Sequence, residues 1–410
     1  MKRIFLLLSL TFACSVLMAQ SLPSHENYVP LGAEGKAWYE AYNAWQPGTP
    51  LYNGLDEAEN ENFFISRVKP RDRFVYTATQ VKEGLNPARK LLWWCPIGKS
   101  AWNAVPQYFF NAEVFSMWSY VDIYGNWTAP MVQVPGAFLD ICHKNGVAAS
   151  PVAAIPWATT PKINDGGNGS MIQAMVDGGY DKFLKYLNYY GIDGIGWNSE
   201  FYWTSMGSYM NNFKNLMGDC YTNAEAYGVP LFHNAWYSFT RNDGDIGDYS
   251  YLGTNCADWF HYNSKPVSTV YFLNYNWSDS RLSSSQSVAN GFNGRSSFDV
   301  FAGINYQSGS SVPFPALQNY DISVGFWGAH DMNMIYETRG ENGSAPVQQQ
   351  KTYQLISENS FTGSSYNPVN TPAVTTKITH TSTAKDFHGF SSFIVARSSL
   401  TCDDLANDPF

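Results

Sequence analysis

Eight short apolar runs, each too brief for a helix and set apart by stretches with helical spacing, constrain what this chain can fold into more than any other feature. Residues 91–94 (LLWW) are the first and 116–124 (SMWSYVDIY) the second. Residues 135–145 begin with Pro and are followed by Gly146, which predicts a helix, and 147–155 (VAASPVAAI) make the third run. A helical stretch over 180–190 stops at Gly191, so the fourth run, GIGW at its end, leads into Asn198, Ser199 and Glu200. A long helix over 206–227, stopped by Gly228, precedes the fifth at 229–236 (VPLFHNAW). Either 257–263 or 269–275 supplies the sixth; 299–305 (DVFAGIN) is the seventh and 322–330 (ISVGFWGAH) the eighth. Apolar runs of this length between helices read as strands covered on both faces. Eight of them predict an α/β chain folded as a parallel (β/α)8 TIM barrel, with its site at the carboxyl ends of the strands.

Those ends gather polar and aromatic residues: Asn198 and Glu200 after the fourth run, Trp236 and Tyr237 after the fifth, Asn274, Tyr275 and Trp277 after the sixth, Asn305 and Tyr306 after the seventh. Convergence on one cavity is the functional reading; packing aromatics at strand ends is the plain one. Side chains alternate along a strand, so Asn198 and Glu200 point the same way with Cα atoms about 6.5 to 7 Å apart, and Ser199 points the other way. An amide and a carboxyl on one wall suit hydrolysis in which the substrate's own 2-acetamido oxygen attacks its anomeric carbon. Glu200 would be the general acid and later base, and Asn198 would orient the acetamide N–H. The competing reading is that this Asn-x-Glu caps the next helix.

A chain of 410 residues holds one barrel of about 250 residues with additions. The expected layout is a leader over 1–19, an N-terminal arm leading into the barrel over 20–89, the catalytic barrel over 90–341, and a C-terminal extension over 342–410, possible start of an accessory β domain. Residues 1–19 carry Lys2 and Arg3, an apolar run and small residues before Gln20, as a secretory signal does, which predicts a secreted or periplasmic protein. Cys14 sits in a poor lipoprotein cleavage context, so a lipid-anchored surface form is disfavoured. Removing the leader's two positive charges takes the net charge from −9 to −11, a poor match to nucleic acid or anionic membranes. Aromatics at 16% suit stacking on sugar faces, although large cores absorb them too. The five cysteines outside the leader read as isolated buried thiols, His143, His233, His261 and His330 as structural, and no ligand cluster or cofactor motif implies a metal or other cofactor.

Seven segments carry a family resemblance: MWSYVDIY, VPGAFLDICHKNGV, DGIGWNSE, AWYSF, FLNYNW, FAGINYQSG and FWGAHDMNMIYE, in order over residues 115–340. In these the chain resembles the endo-β-N-acetylglucosaminidases of glycoside hydrolase family 85. The resemblance implies cleavage of GlcNAc-β-1,4-GlcNAc in the core of N-glycans or N-glycoproteins, with retention and through an oxazoline-type intermediate. It implies Glu200 as acid and base, Asn198 as the group orienting the acetamide, and Tyr237 as a hydrogen-bonding partner near the intermediate. Trp277, Tyr275, Asn274 and Asn305 would line the substrate, with Trp236 either a platform or a packing residue. Glu337 would be structural or peripheral. The chain departs from the family at Ser238, where Asp is usual, at Asn305, where Asp is usual, and at Trp93 to Pro96, where His-Asp is common. DGIGWNSE is also similar to the chitinase-type DGxDxDxE of family 18, with an amide in place of the penultimate acid. A glycan-binding barrel without turnover and a chitinase-like hexosaminidase are the alternatives.

Overall fold

The computed structural model describes residues 34–50, 57–71, 88–95, 121–127, 132–134, 136–155, 158–247, 250–305, 317 and 319–327. The leader, the C-terminal extension, Tyr306, His330, Glu337 and Cys402 lie outside the described residues.

The chain closes a parallel barrel from β1 (Leu91–Trp94), β2 (Ile123–Trp127), β3 (Ala148–Ala154), β4 (Gly194–Asn198), β5 (His233–Tyr237), β6 (Val270–Leu273), β7 (Val300–Asn305) and β8 (Ser323–Trp327), each beside its neighbour in sequence and β8 back on β1. Of the two candidates for the sixth strand, the second enters the barrel. The first forms a 3-10 turn, Ala257–Trp259, and one side of a small antiparallel hairpin, His261–Tyr262 with Lys265–Pro266.

Helix α1 (Glu34–Ala44) and α2 (Glu57–Phe64) precede the barrel; α3 (Gly136–Lys144), α4 (Asn168–Tyr190), α5 (Ser208–Asn223) and α6 (Asp279–Asn290) lie between strands. The helix expected over 180–190 is the second half of α4, whose first half is joined to it across the non-helical Gly179. At the α4 end Gly191 takes φ 76°, and a Cβ there would stand 2.6 Å from the Ser66 Cβ, so the turn into β4 needs both the left-handed backbone and the missing side chain. The arm shows no clear periodicity as sequence, yet Trp38, Tyr42 and Trp45 bury an aromatic seam against Tyr186 of α4 at ring separations of 5.9, 5.5 and 5.3 Å.

A second tether fastens the same arm near the amino ends of the strands. His143 Nδ1 meets the Val68 carbonyl at 2.6 Å and its Nε2 meets Asp193 Oδ2 at 2.9 Å. Burial pushes the imidazolium down, but the Asp193 charge and these hydrogen bonds more than offset it, and His143 titrates above its ordinary value.

Inside the barrel two rings fill the lumen, Trp94 of β1 and Phe272 of β6, 5.2 Å apart. They fit because four facing positions are glycine. A Cβ at Gly125 would lie 2.7 Å from Trp94 Nε1, at Gly196 3.0 Å from the same ring, at Gly303 2.8 Å from Phe272 and at Gly325 2.6 Å from Phe272. Strand parity carries the inward face two residues further, from Gly196 to Asn198, Ala235 to Tyr237, Phe272 to Asn274, Gly303 to Asn305 and Gly325 to Trp327. The packed rings are therefore the floor on which that next layer stands.

Candidate active site

On β4 the alternation decides what faces the cavity. Trp197 turns outward onto Phe213 of α5, with ring centroids 5.0 Å apart. Ser199, fully buried, shares a 2.5 Å hydrogen bond with Thr240 Oγ1, leaving Asn198 and Glu200 together on the other side. Asn198 Nδ2 donates to Glu200 Oε2 at 2.7 Å. The Glu200 carbonyl accepts Ala158 N–H at 2.7 Å and its own N–H donates to the Asn198 carbonyl at 3.1 Å, so the acid sits in a backbone-tied turn. Neither residue caps the following elements: the 3-10 turn Thr204–Met206 and α5 start at Trp203 and Gly207 without a side-chain cap. Burial raises the Glu200 carboxyl above its ordinary value, against the lowering pull of the Asn198 hydrogen bond. Burial thus favours the protonated form of this half-buried acid over what an exposed glutamate would show.

Tyr237 ends β5 on the inner face, 5% exposed, with Phe239 stacked at 5.9 Å and Tyr275 at 6.2 Å. Asn274, at the end of β6, donates from Nδ2 to the Tyr237 hydroxyl at 2.8 Å. Burial pushes the Tyr275 phenol far up, and the neighbouring Tyr237, Glu200 and Cys95 add to the rise. Glu200 and Tyr275 are thus within electrostatic reach, which ties the β4 pair to the β5–β6 group. Half-buried Asn305 ends β7 on the inner side.

Two expected substrate contacts are placed differently. Trp236 is fully buried and points away from the lumen, stacked on Trp259 at 4.3 Å and 6° and packed against Trp203 and Phe213. Of its two readings, packing is the one its position supports, because Tyr237 takes the inward place and adjacent residues of a strand cannot share a face. Trp277 donates Nε1 to the Gly303 carbonyl at 2.8 Å and packs, half-buried, with the apolar layer outside the strands rather than with the inner rings. Trp327 was not among the expected residues. It is half-buried beside Asn305 in the ladder and packs with the inner rings, on β8 across the barrel from β4. Its inward parity with Gly325 is the signal that would have found it.

Ser238, where an acid is usual in the resemblance, is buried and accepts the Asn274 N–H at 3.1 Å. His143 and His233 lie toward the amino ends of the strands, the latter bonded to Ser150 Oγ at 2.9 Å. Cys142, Cys220 and Cys256 are buried free thiols. Among the described residues no group of three or more His, Cys, Asp or Glu is placed to hold a metal ion, and no helix is long and apolar enough to cross a membrane.

Comparison with known proteins adds an independent line. The family model described as Glycosyl hydrolase family 85 matches residues 101–399. The glycoside hydrolase domain of Endo-D from Streptococcus pneumoniae superposes with a TM-score of 0.62 at 19% identity, covering 82% of this chain and 54% of that one. The chain therefore spans about half the length of that relative. A family 18 chitinase from Crocus vernus matches at a TM-score of 0.33 and 11% identity, over 61% of this chain and 98% of its own. No curated protein matches.

Proposed function

The chain belongs to glycosyl hydrolase family 85, and from that premise we propose that it is an endo-β-N-acetylglucosaminidase. On this reading it cuts between the two core GlcNAc residues of N-glycans, with retention, using the substrate's 2-acetamido oxygen as nucleophile. The observation that carries the reading is the 2.7 Å contact between Asn198 and a Glu200 whose carboxyl is raised by burial. Glu200 delivers its proton to the glycosidic oxygen as the bond breaks, and the resulting carboxylate takes a proton from the water that opens the intermediate. Asn198 spends its NH2 on Glu200, and its Oδ1 is the natural acceptor for the acetamide N–H, which turns the acetamide oxygen toward the anomeric carbon.

The test is direct. Incubation with an N-glycoprotein is expected to remove the glycan less one GlcNAc, read as the mass left on the protein. Glu200→Gln is expected to lower that rate by about three orders of magnitude or more. Turnover near wild type in that variant rules the assignment out. We also propose that the protein works outside the cytoplasm, on the strength of residues 1–19; fractionation that finds it confined to the cytoplasm with those residues still attached would refute it.

A further inference from the structure

Asn274 and Tyr237 meet the cavity as a coupled unit. Asn274, 8% exposed, donates from Nδ2 to the Tyr237 hydroxyl at 2.8 Å. The amide's orientation follows from its other end, where Oδ1 accepts the Asn276 backbone N–H at 3.4 Å, the bond of an Asx turn. An NH2 group only donates, and a phenol has one proton. Toward Asn274 the Tyr237 oxygen is therefore an acceptor, and its own proton is directed elsewhere. The arrangement is held from behind: Ser238 Oγ accepts the Asn274 N–H at 3.1 Å, and the Ser238 N–H donates to the Phe272 carbonyl at 2.8 Å. This is the work done by a serine at the position where an acid is usual in the resemblance. A phenol oxygen that accepts a hydrogen bond is also a stronger donor through its proton.

We propose that Asn274 is a positioning residue that holds the Tyr237 hydroxyl as a donor toward the sugar's 2-acetamido group, with Ser238 fixing Asn274 in that role. The inference rests on the substrate-assisted reading above, and it moves Asn274 from direct contact with substrate to action through Tyr237.

Asn274→Asp reverses the bond, because a carboxylate accepts the phenol proton. On an N-glycopeptide it is expected to lower kcat about tenfold or more with KM within about twofold. Asn274→Ala removes the donor without adding charge and is expected to lower kcat less; it carries the same test should the Asp variant not fold. In a Tyr237→Phe background either change is expected to alter kcat less than about twofold, since the hydroxyl it acts through is gone. Full additivity with Tyr237→Phe, or wild-type kcat in both Asn274 variants, overturns the proposal. The contact is also read without turnover: the Asn274 side-chain amide protons are expected to shift in 1H–15N spectra on Tyr237→Phe. An inactive wild type that keeps this shift refutes the enzymatic reading, whereas an active wild type with no shift and additive losses refutes the positioning role alone.

Discussion

Gly125→Ala tests whether the two-ring floor of the barrel is as tightly determined as its geometry implies. The new methyl would stand 2.7 Å from Trp94 Nε1, closer still to Cδ1, and 3.1 Å from Val152 Cγ2. Carbon contacts want about 3.5 to 4.0 Å, so the indole must retreat by about 1 Å. It has little room to do so. Phe272 lies 5.2 Å away centroid to centroid, and the Gly196 backbone, two residues before Asn198, closes another side. The cost therefore belongs at the upper end of overpacking, about 3 kcal/mol. Trp94→Leu alone would leave a cavity and cost about 3 kcal/mol. In the double variant the methyl enters space the indole has vacated, so the sum of about 6 kcal/mol is expected to shrink by about 2 kcal/mol or more. Urea denaturation with unchanged slope measures all three variants. Because the displaced ring lies beneath Asn198, glycan release by folded Gly125→Ala is expected to fall as well. A Gly125→Ala protein within about 0.5 kcal/mol of wild type, or strictly additive single changes, would refute the reasoning.

Other outcomes follow from the same contacts. The folded pKa of His143 is raised, so the stability it contributes is complete below the unfolded value of about 6.5 and fades as pH rises through the folded value. In chemical denaturation from pH 6 to 9 that fade is expected in wild type and absent in His143→Gln; identical profiles would show the pair to be inert. Trp236→Ala should cost about 4 kcal/mol while leaving KM unchanged in the folded fraction, and a large KM effect without destabilisation would restore it as a sugar platform. Asn198→Leu removes the hydrogen bond that lowers the Glu200 carboxyl, so the alkaline limb of the pH–rate profile is expected to move upward. A limb that stays put or moves down would contradict it.

The barrel was legible because strands buried on both faces leave unmixed apolar runs, as at 91–94, 147–155 and 299–305, and the Asn198–Glu200 pair because a two-residue repeat survives to the strand end. Ambiguity at the sixth strand had a physical source: Ala257, Trp259 and Phe260 are buried as strand residues would be, Trp259 stacked on Trp236. The first half of α4 was hidden by Gly178 and Gly179, which break helical spacing while the chain continues. Helix α1 was hidden because aromatic rings, not aliphatic side chains, form its buried stripe, among polar neighbours. The two readings of Trp236 could have been narrowed from the sequence, because putting Tyr237 inward already turns its predecessor outward.

The aromatic seam under α1 bears on how this protein can be handled. Trimming the chain to begin at residue 90 would lay bare the Tyr186, Tyr189 and Tyr190 faces that Trp38, Tyr42 and Trp45 cover, and take the Val68 carbonyl from His143. An excised eight-strand core would thus carry a sticky flank prone to self-association, and the arm belongs in any minimal folded unit cut from this sequence.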